Sequence, residues 1–469
     1  MKNTRLLIVL ETLSRSEWRE LEKFVHSPFF NTRPDVIQLF DYLYECLTLH
    51  RVIPDKAQIF NKLYKNTAYD DHQVRVVMSL LLKLIEKYFA LKPLLEDELG
   101  IKIRVAQAYR QRQLNKHFDS TLRDAQQFTD QYPYRHTRYY EHQLALQQEI
   151  YERTAARQRT GDVNLRDISN NLDIIYLASK LRFACLALAH QAVYKTDYEF
   201  SMLDIILQYI SKHDLLNIPV IAIYYYAYLA LSQPEEPSYF THFQQLVHTN
   251  AALFPEEERR DLFILAINFC LKSYNAGNPT YLKDLFNLYQ TGLQENYLII
   301  QNEISRFTYR NIVTLGLILK EYTWVERFIN SYKTFLPTDY QESMYSFCLA
   351  RLEYSRRNYD KALKLLQKSE YKDLLLNLSA KAVLLKIFYE LREFDLLEAH
   401  LQAMRTFLTR KKVTASYHKE NYRNLLRFTQ KLLELEPYNA SGKESLKVQV
   451  EQEKSVAERE WLLEQLKNM

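Results

Sequence analysis

The chain has 469 residues, of which 47% are hydrophobic and 25% are charged, and its net charge is +5. This balance is that of an ordinary globular protein and argues against a strongly basic nucleic-acid-binding protein. Only 6 glycines occur, which leaves little room for tight turns, β-bulges and phosphate-cradling loops. The composition therefore predicts a nearly all-α protein.

The first 95 residues predict a block of four helices, of which the first places Trp18, Leu21 and Val25 on one face. The predicted helices cover 16–26, 34–47, 55–64 and 70–89. The last two have the outline of a helix-turn-helix, although the fourth opens with Asp70 and Asp71, which repel phosphate.

A tyrosine or phenylalanine recurs downstream, each time just after a polar or proline-containing joint. These aromatic residues are Tyr198, Tyr239, Tyr281, Tyr322, Tyr359 and Phe394, and their spacings run from 35 to 42 residues. A repeat of this size predicts stacked helical hairpins in which each aromatic begins a second helix.

The later repeats resemble tetratricopeptide repeats. Ala350, Tyr359 and Ala362 match the small-residue, aromatic and alanine positions of that family, and Pro337 falls where the family ends a repeat. The resemblance covers Tyr309–Thr409 and implies a right-handed α-solenoid of TPR-like helical hairpins. As a whole, the chain resembles helical-repeat proteins common in Bacteroidota bacteria, and that resemblance implies no known activity.

We therefore expect four regions in this protein. They are an N-terminal helical bundle (1–95), irregular helical-hairpin repeats (96–300), TPR-like repeats (301–436) and a C-terminal capping helix (437–469). A solenoid needs a polar-faced cap at its end, and one helix over 443–467 fits that role. A partner-binding coiled coil is the alternative for this last segment.

Several enzyme motifs are missing from the sequence. It contains no Gly-x-x-x-x-Gly-Lys loop, no Gly-x-Gly-x-x-Gly, no His-Glu-x-x-His and no Gly-x-Ser-x-Gly. The 12 histidines are scattered, and the closest pairs, six residues apart, would point to opposed sides of a helix. We therefore predict no catalytic, cofactor-binding or metal-binding residue and a protein that is not an enzyme.

The location expected from the sequence is the cytoplasm. The 4 cysteines are far apart and lie in apolar helical contexts, which suits reduced, buried thiols. The apolar run Ile218–Leu231 is too short to cross a bilayer, so we interpret it as a helix buried on all sides.

A basic strip near the C-terminus is the first candidate for partner binding. Its candidate residues are Arg405, Lys411, Lys412, Lys419, Tyr422, Arg423 and Arg427. Lys419, Arg423 and Arg427 recur every fourth residue and so share one helix face. With interleaved aromatics such as Tyr422, the strip could hold a phosphate-rich or acidic ligand; a solvated helix face is the structural alternative.

A Tyr- and Arg-rich segment is the second candidate, with Tyr134, Arg135, Arg138 and Tyr139 as its candidate residues. These side-chain types dominate interface hot spots. The structural alternative is a turn whose tyrosines pack between hairpins.

These observations lead to a hypothesis about function. We expect a non-catalytic scaffold or adaptor that binds a protein or peptide partner, mainly on the inner face formed by the first helices of successive hairpins. The alternative is a nucleic-acid-associated regulator that uses the basic strip or the helix-turn-helix-like N-terminal block.

Overall fold

A computed structural model describes residues 3–49, 52–65, 67–156, 163–194, 196, 198–368, 371, 373–410, 416–436 and 438–469. In these ranges nearly every element is a helix, and the two strands, Ile299–Ile300 and Glu303–Ile304, pair antiparallel in one small hairpin. The all-α prediction is confirmed.

The helices of the first half follow one another with short connections. They are α1 Arg5–Glu11, α2 Arg15–Val25, α3 Pro34–Tyr44, α4 Lys56–Leu63, α5 Asp71–Glu96, α6 Glu98–Gln111, α7 Asn115–Gln131, α8 Thr137–Ala155, α9 Leu165–Tyr194, α10 Leu203–Lys212 and α11 Pro219–Ser232. A π-helical turn, Glu45–Leu49, continues α3.

The helices of the second half also follow one another with short connections. They are α12 Pro237–Asn250, α13 Glu256–Asn275, α14 Leu282–Gln294, α15 Arg306–Ile318, α16 Tyr322–Ser331, α17 Gln341–Ser355, α18 Tyr359–Lys368, α19 Leu374–Glu390, α20 Phe394–Arg410, α21 Ser416–Glu434, α22 Ala440–Gln452 and α23 Arg459–Asn468.

The chain divides into two compact units. One contains residues 1–181, 202–222 and 250–255, and the other contains 182–201, 223–249 and 256–469. We refer to them as the first and the second unit.

The first unit has its main core among α1 to α5. Trp18, Leu21 and Val25 of α2 are buried there as predicted. Ser14 caps α2 with a capping box that satisfies two backbone N–H groups, those of Ser14 and Glu17. On α5 one apolar face is buried from Val74 to Tyr88, whereas the next residue, Phe89, is exposed.

The helix α11 is buried on nearly all sides, with Val220, Ile221 and Ile223 fully inaccessible. This confirms its interpretation as an interior helix. Within the described ranges, no helix combines the length and the apolar character needed to cross a bilayer.

Helices α11 to α20 follow one another as consecutive pairs, and from α13 onward the two helices of each pair pack together. The second helix of each pair begins at or within two residues of the predicted aromatic at Tyr239, Tyr281, Tyr322, Tyr359 and Phe394. Tyr198 is the exception, because it lies outside any helix and α10 begins only at Leu203. Helices also contact the helix two positions along the chain, as α15 does with α17 and α17 with α19.

The predicted single helix over 443–467 is wrong. The segment forms α22 and α23, separated by a turn in which Glu458 has a left-handed backbone with φ of 54°. The turn is fixed by tertiary contacts, since Lys386 binds Glu458 at 2.7 Å and Asn424 Nδ2 donates to the Ser455 carbonyl. Trp461 is buried and donates to Glu390 at 2.8 Å.

Candidate functional site

A basic cleft between α20 and α21 is the strongest candidate site in the second unit. Its volume is about 400 Å³, and its walls are formed by Arg405, Leu408, Thr409, Arg423, Leu426, Arg427, Gln430 and Lys431. Helical periodicity explains the arrangement, because residues 423, 427 and 431 recur every fourth position and form one stripe of α21. The other face of the helix, including Leu425 and Leu432, is buried in the C-terminal core.

The charges in this cleft are only partly neutralised. Arg427 binds Glu453 at 2.8 Å, and Arg423 lies 3.9 Å from Glu420. Both arginine side chains remain about half exposed, at 50% and 51%. Exposed pairs of this kind contribute little stability and exchange readily with other anions.

The other two cations of the cleft bind neutral groups. Lys431 Nζ donates to Gln449 at 2.6 Å, and Arg405 Nη2 lies 3.4 Å from the side-chain oxygen of Gln430. Four cationic side chains thus surround the cleft, and Glu453 is the one carboxylate within 3 Å of any of them among the described residues. The cleft suits an anionic ligand.

The aromatic residues predicted to interleave with these cations point elsewhere. Phe428 is buried in the core, and the Tyr422 hydroxyl lies 3.0 Å from the Ser379 hydroxyl, where burial raises the pKa of Tyr422. Each of the two is adjacent in sequence to a cleft arginine, so a rotation of about 100° per residue directs it away from the cleft. The expectation that Tyr422 offers a stacking surface beside the cations is therefore wrong.

The remaining residues of the strip have different positions. Lys411 and Lys412 lie outside the described residues. Lys419 is partly buried and does not line the cleft, although it shares a helix face with Arg423 and Arg427. Arg405, which was predicted, lines the cleft with the two arginines, and Lys431, which was not among the predicted residues, is the fourth cation.

The second candidate segment lies in the first unit, at the connection between α7 and α8. Arg135 donates to the Tyr134 carbonyl at 2.8 Å and its guanidinium lies 4.4 Å from the ring centre of Tyr139. Arg138 binds Asp97 at 3.2 Å. Because these four side chains contact one another and their neighbours, the geometry favours the structural alternative of a packed turn.

The sequence did not predict a further pocket in the second unit, which polar and apolar side chains line together. It lies among α9, α11, α13, α14 and α15, has a volume of about 320 Å³, and contains Lys272 together with Asn268 and Asn311. One sequence feature could have indicated this pocket. Asn268, Lys272 and Asn275 are spaced so that they share one face of α13, and these polar residues interrupt a mainly apolar helix.

A metal ion has no evident place in the described ranges, where no group of three His, Cys, Asp or Glu side chains is arranged to hold one. No protein-family model, curated protein or solved structure matches this chain. Interpretation of the cleft therefore depends on its own geometry and charge.

Proposed function

We propose that this protein is a non-catalytic binding protein, a scaffold or adaptor that holds an acidic segment of a protein partner in the basic cleft. The observation that carries the proposal is the convergence of Arg405, Arg423, Arg427 and Lys431 around one cleft in which, among the described residues, a single carboxylate is closely bound. Arginine and lysine bind carboxylates through charge-assisted hydrogen bonds, and Leu408 and Leu426 give an apolar floor for the body of a peptide.

The chemistry of the cleft supports binding over catalysis. Its lining side chains are arginine, lysine, leucine, threonine and glutamine. A general acid or base needs a group that titrates near the working pH, and histidine and carboxylates usually fill that role. Among the described residues, none that lines this cleft is of those types.

The helical pairs support a solenoid as the scaffold for this surface. Contacts of α15 with α17 and of α17 with α19 are those expected when hairpins stack in sequence order. The proposed architecture is a right-handed solenoid of TPR-like hairpins, and the basic cleft lies near its C-terminal end.

Nucleic acid is the second ligand considered, because phosphates also bind clustered cations. The positions of Tyr422 and Phe428 favour a peptide, since neither ring lines the cleft where a base could stack on it. In the N-terminal block, Asp71 at the start of α5 binds Lys56 at 2.9 Å and Arg75 at 2.8 Å. Those two cations are thus engaged within the protein.

Binding of a fluorescent octaglutamate peptide to the full chain tests the proposal. The double variant R423Q/R427Q should weaken binding about 10-fold, because two charge-assisted contacts are lost at a partly solvated site. The matched control is K361Q/K364Q, which removes two exposed charges from α18 beside Glu326 and Glu353. This control should bind like the parent protein.

Two results would overturn the proposal. One is equal affinity of the peptide for the parent and for R423Q/R427Q, and the other is an equal loss in the control. Parallel titrations with a 20-nucleotide RNA at 50 and 200 mM salt test the alternative. RNA binding that is lost in R423Q/R427Q, without peptide binding, would assign the cleft to nucleic acid.

A further inference from the structure

The pocket around Lys272 differs in character from the basic cleft. Lys272 lies near the end of α13, and its Nζ donates to the carbonyl of Leu231 in the last turn of α11 at 2.6 Å. The pocket walls combine leucines, such as Leu271 and Leu315, with the amides of Asn268 and Asn311. We call it the Lys272 pocket.

The ammonium of Lys272 has no close carboxylate partner. Among the described residues, no carboxylate lies within the 4.0 Å that defines an ion pair. Burial lowers the pKa of Lys272, and the charge of Glu235 opposes this effect. It costs free energy to remove an ammonium partly from water without an anion beside it. The Leu231 carbonyl offsets only part of that cost, because it accepts from only one of the three N–H groups of the ammonium.

Another lysine in the same unit shows how the chain compensates the charge of a buried ammonium. Lys386 on α19 is 9% exposed, binds Glu458 at 2.7 Å and lies 4.6 Å from the ring centre of Tyr354. Burial alone would raise the pKa of Glu458, but Lys386 and Arg351 hold it below its usual value. At Lys386 the chain supplies its own carboxylate, whereas no described residue supplies one within 4.0 Å of Lys272.

The lining of the Lys272 pocket defines the ligand that would complete it. One ammonium matches one carboxylate, and the amide N–H groups of Asn268 and Asn311 can bind the second oxygen. No arginine among the described residues lines the pocket, and bidentate phosphate recognition typically uses one. The leucine walls require an apolar body, and about 320 Å³ is at the lower end of small-molecule sites.

We propose that the Lys272 pocket binds a small monocarboxylate with an apolar body, its carboxylate on the Lys272 ammonium and its body against the leucine walls. This site shares no residue with the basic cleft. The protein would thus carry a small-molecule site in addition to its surface for an acidic partner.

Isothermal titration of the full chain with sodium octanoate tests this proposal, with 1-octanol as the uncharged probe. Octanoate should bind one site per chain, and octanol should bind at least 10-fold more weakly because it lacks the charge. The variant K272M should reduce octanoate affinity at least about 10-fold by the same argument. The control K283M removes an exposed lysine of α14 and should leave binding unchanged.

A second variant keeps the proposal testable if K272M does not fold by circular dichroism. Asn275 lines the pocket and is exposed, so N275W should narrow the entrance without touching the core and should weaken octanoate binding. The proposal is overturned if octanoate does not bind the parent protein, if octanol binds equally well, or if folded K272M or N275W retains full affinity.

Discussion

Replacement of Glu390 should destabilise the C-terminal part of the second unit more than the loss of one hydrogen bond would. Glu390 ends α19 and accepts three hydrogen bonds, from the Tyr354 hydroxyl, from the Tyr359 hydroxyl at 2.6 Å and from Trp461 Nε1 at 2.8 Å. Burial and Glu390 together raise the pKa of Tyr359 to about 12. One carboxylate thus connects α17, α18, α19 and α23.

The expected magnitude follows from the number of donors. A hydrogen bond to a charged group contributes about 1.5–3 kcal/mol. If water replaces the bond from Tyr359, the bonds from Tyr354 and Trp461 predict a loss of about 3–6 kcal/mol in Glu390→Ala. Glu390→Gln retains an oxygen for those two donors and should lose only about 1–2 kcal/mol.

Urea unfolding followed by circular dichroism measures these changes in the free energy of unfolding. Glu398→Ala is the matched control, because Glu398 is exposed on the adjacent α20, and it should cost less than about 0.5 kcal/mol. In a double-mutant cycle, Glu390→Ala and Trp461→Phe should show a coupling of about 1 kcal/mol or more. The reasoning is refuted if Glu390→Ala behaves like the control or if the two substitutions are additive.

Three further substitutions test the packing of the second unit. Gly316→Ala places a methyl group against the Val325 side chain where α15 meets α16; it should cost about 1–3 kcal/mol in urea unfolding, and adding Val325→Ala should restore part of the loss. Burial raises the pKa of Glu258 above its usual value, despite the hydrogen bond that Tyr224 donates to it. The protonated side chain therefore contributes folding stability at pH values below the unfolded-state pKa, and this stability is lost as the pH rises through the folded-state pKa. Glu258→Gln should therefore raise the thermal midpoint at pH 8 but not at pH 4, and a lower midpoint at pH 8 would contradict this. Tyr309→Phe removes a buried 2.8 Å bond to a main-chain carbonyl of α16 and should cost about 1–2 kcal/mol by the same urea assay; an unchanged midpoint would show that the bond contributes nothing net.

The sequence predicted the helical pairs well because their signal is local. Each pair has an apolar stripe, a polar joint and an aromatic at the start of the second helix, and these features act within a few residues of one another. The prediction failed at Tyr198, where Met202 adopts a left-handed backbone directly before α10. No glycine or proline marks that position in the sequence.

The break between α22 and α23 was missed for a different reason. The sequence around Glu458 contains no helix-breaking residue, and the turn is held by partners distant in sequence, Lys386 and Asn424. Local propensity favours a continuous helix, and tertiary contacts override it.

The basic cleft was partly predictable. Spacing on one helix indicated that Arg423 and Arg427 share a face, but the approach of Arg405 from α20 depends on how two helices pack. The sequence pattern also could not show that Tyr422 and Phe428 belong to the core, because an amphipathic helix with interleaved aromatics is compatible with either face being buried.

The attachment of the C-terminal segment to α19 and α21 has a consequence for biosynthesis. Glu458 and Trp461 complete the surroundings of Lys386 and Glu390, yet they follow those residues by 72 and 71 positions and are synthesised after them. Earlier helical pairs can fold while the chain is still being synthesised. Until Glu458 and Trp461 leave the ribosome, however, α19 has a lysine without its carboxylate partner and an incomplete hydrogen-bond network. Ribosome-bound chains that stop before Glu458 should therefore remain sensitive to proteases at α19 to α21, even when the preceding pairs are already protected.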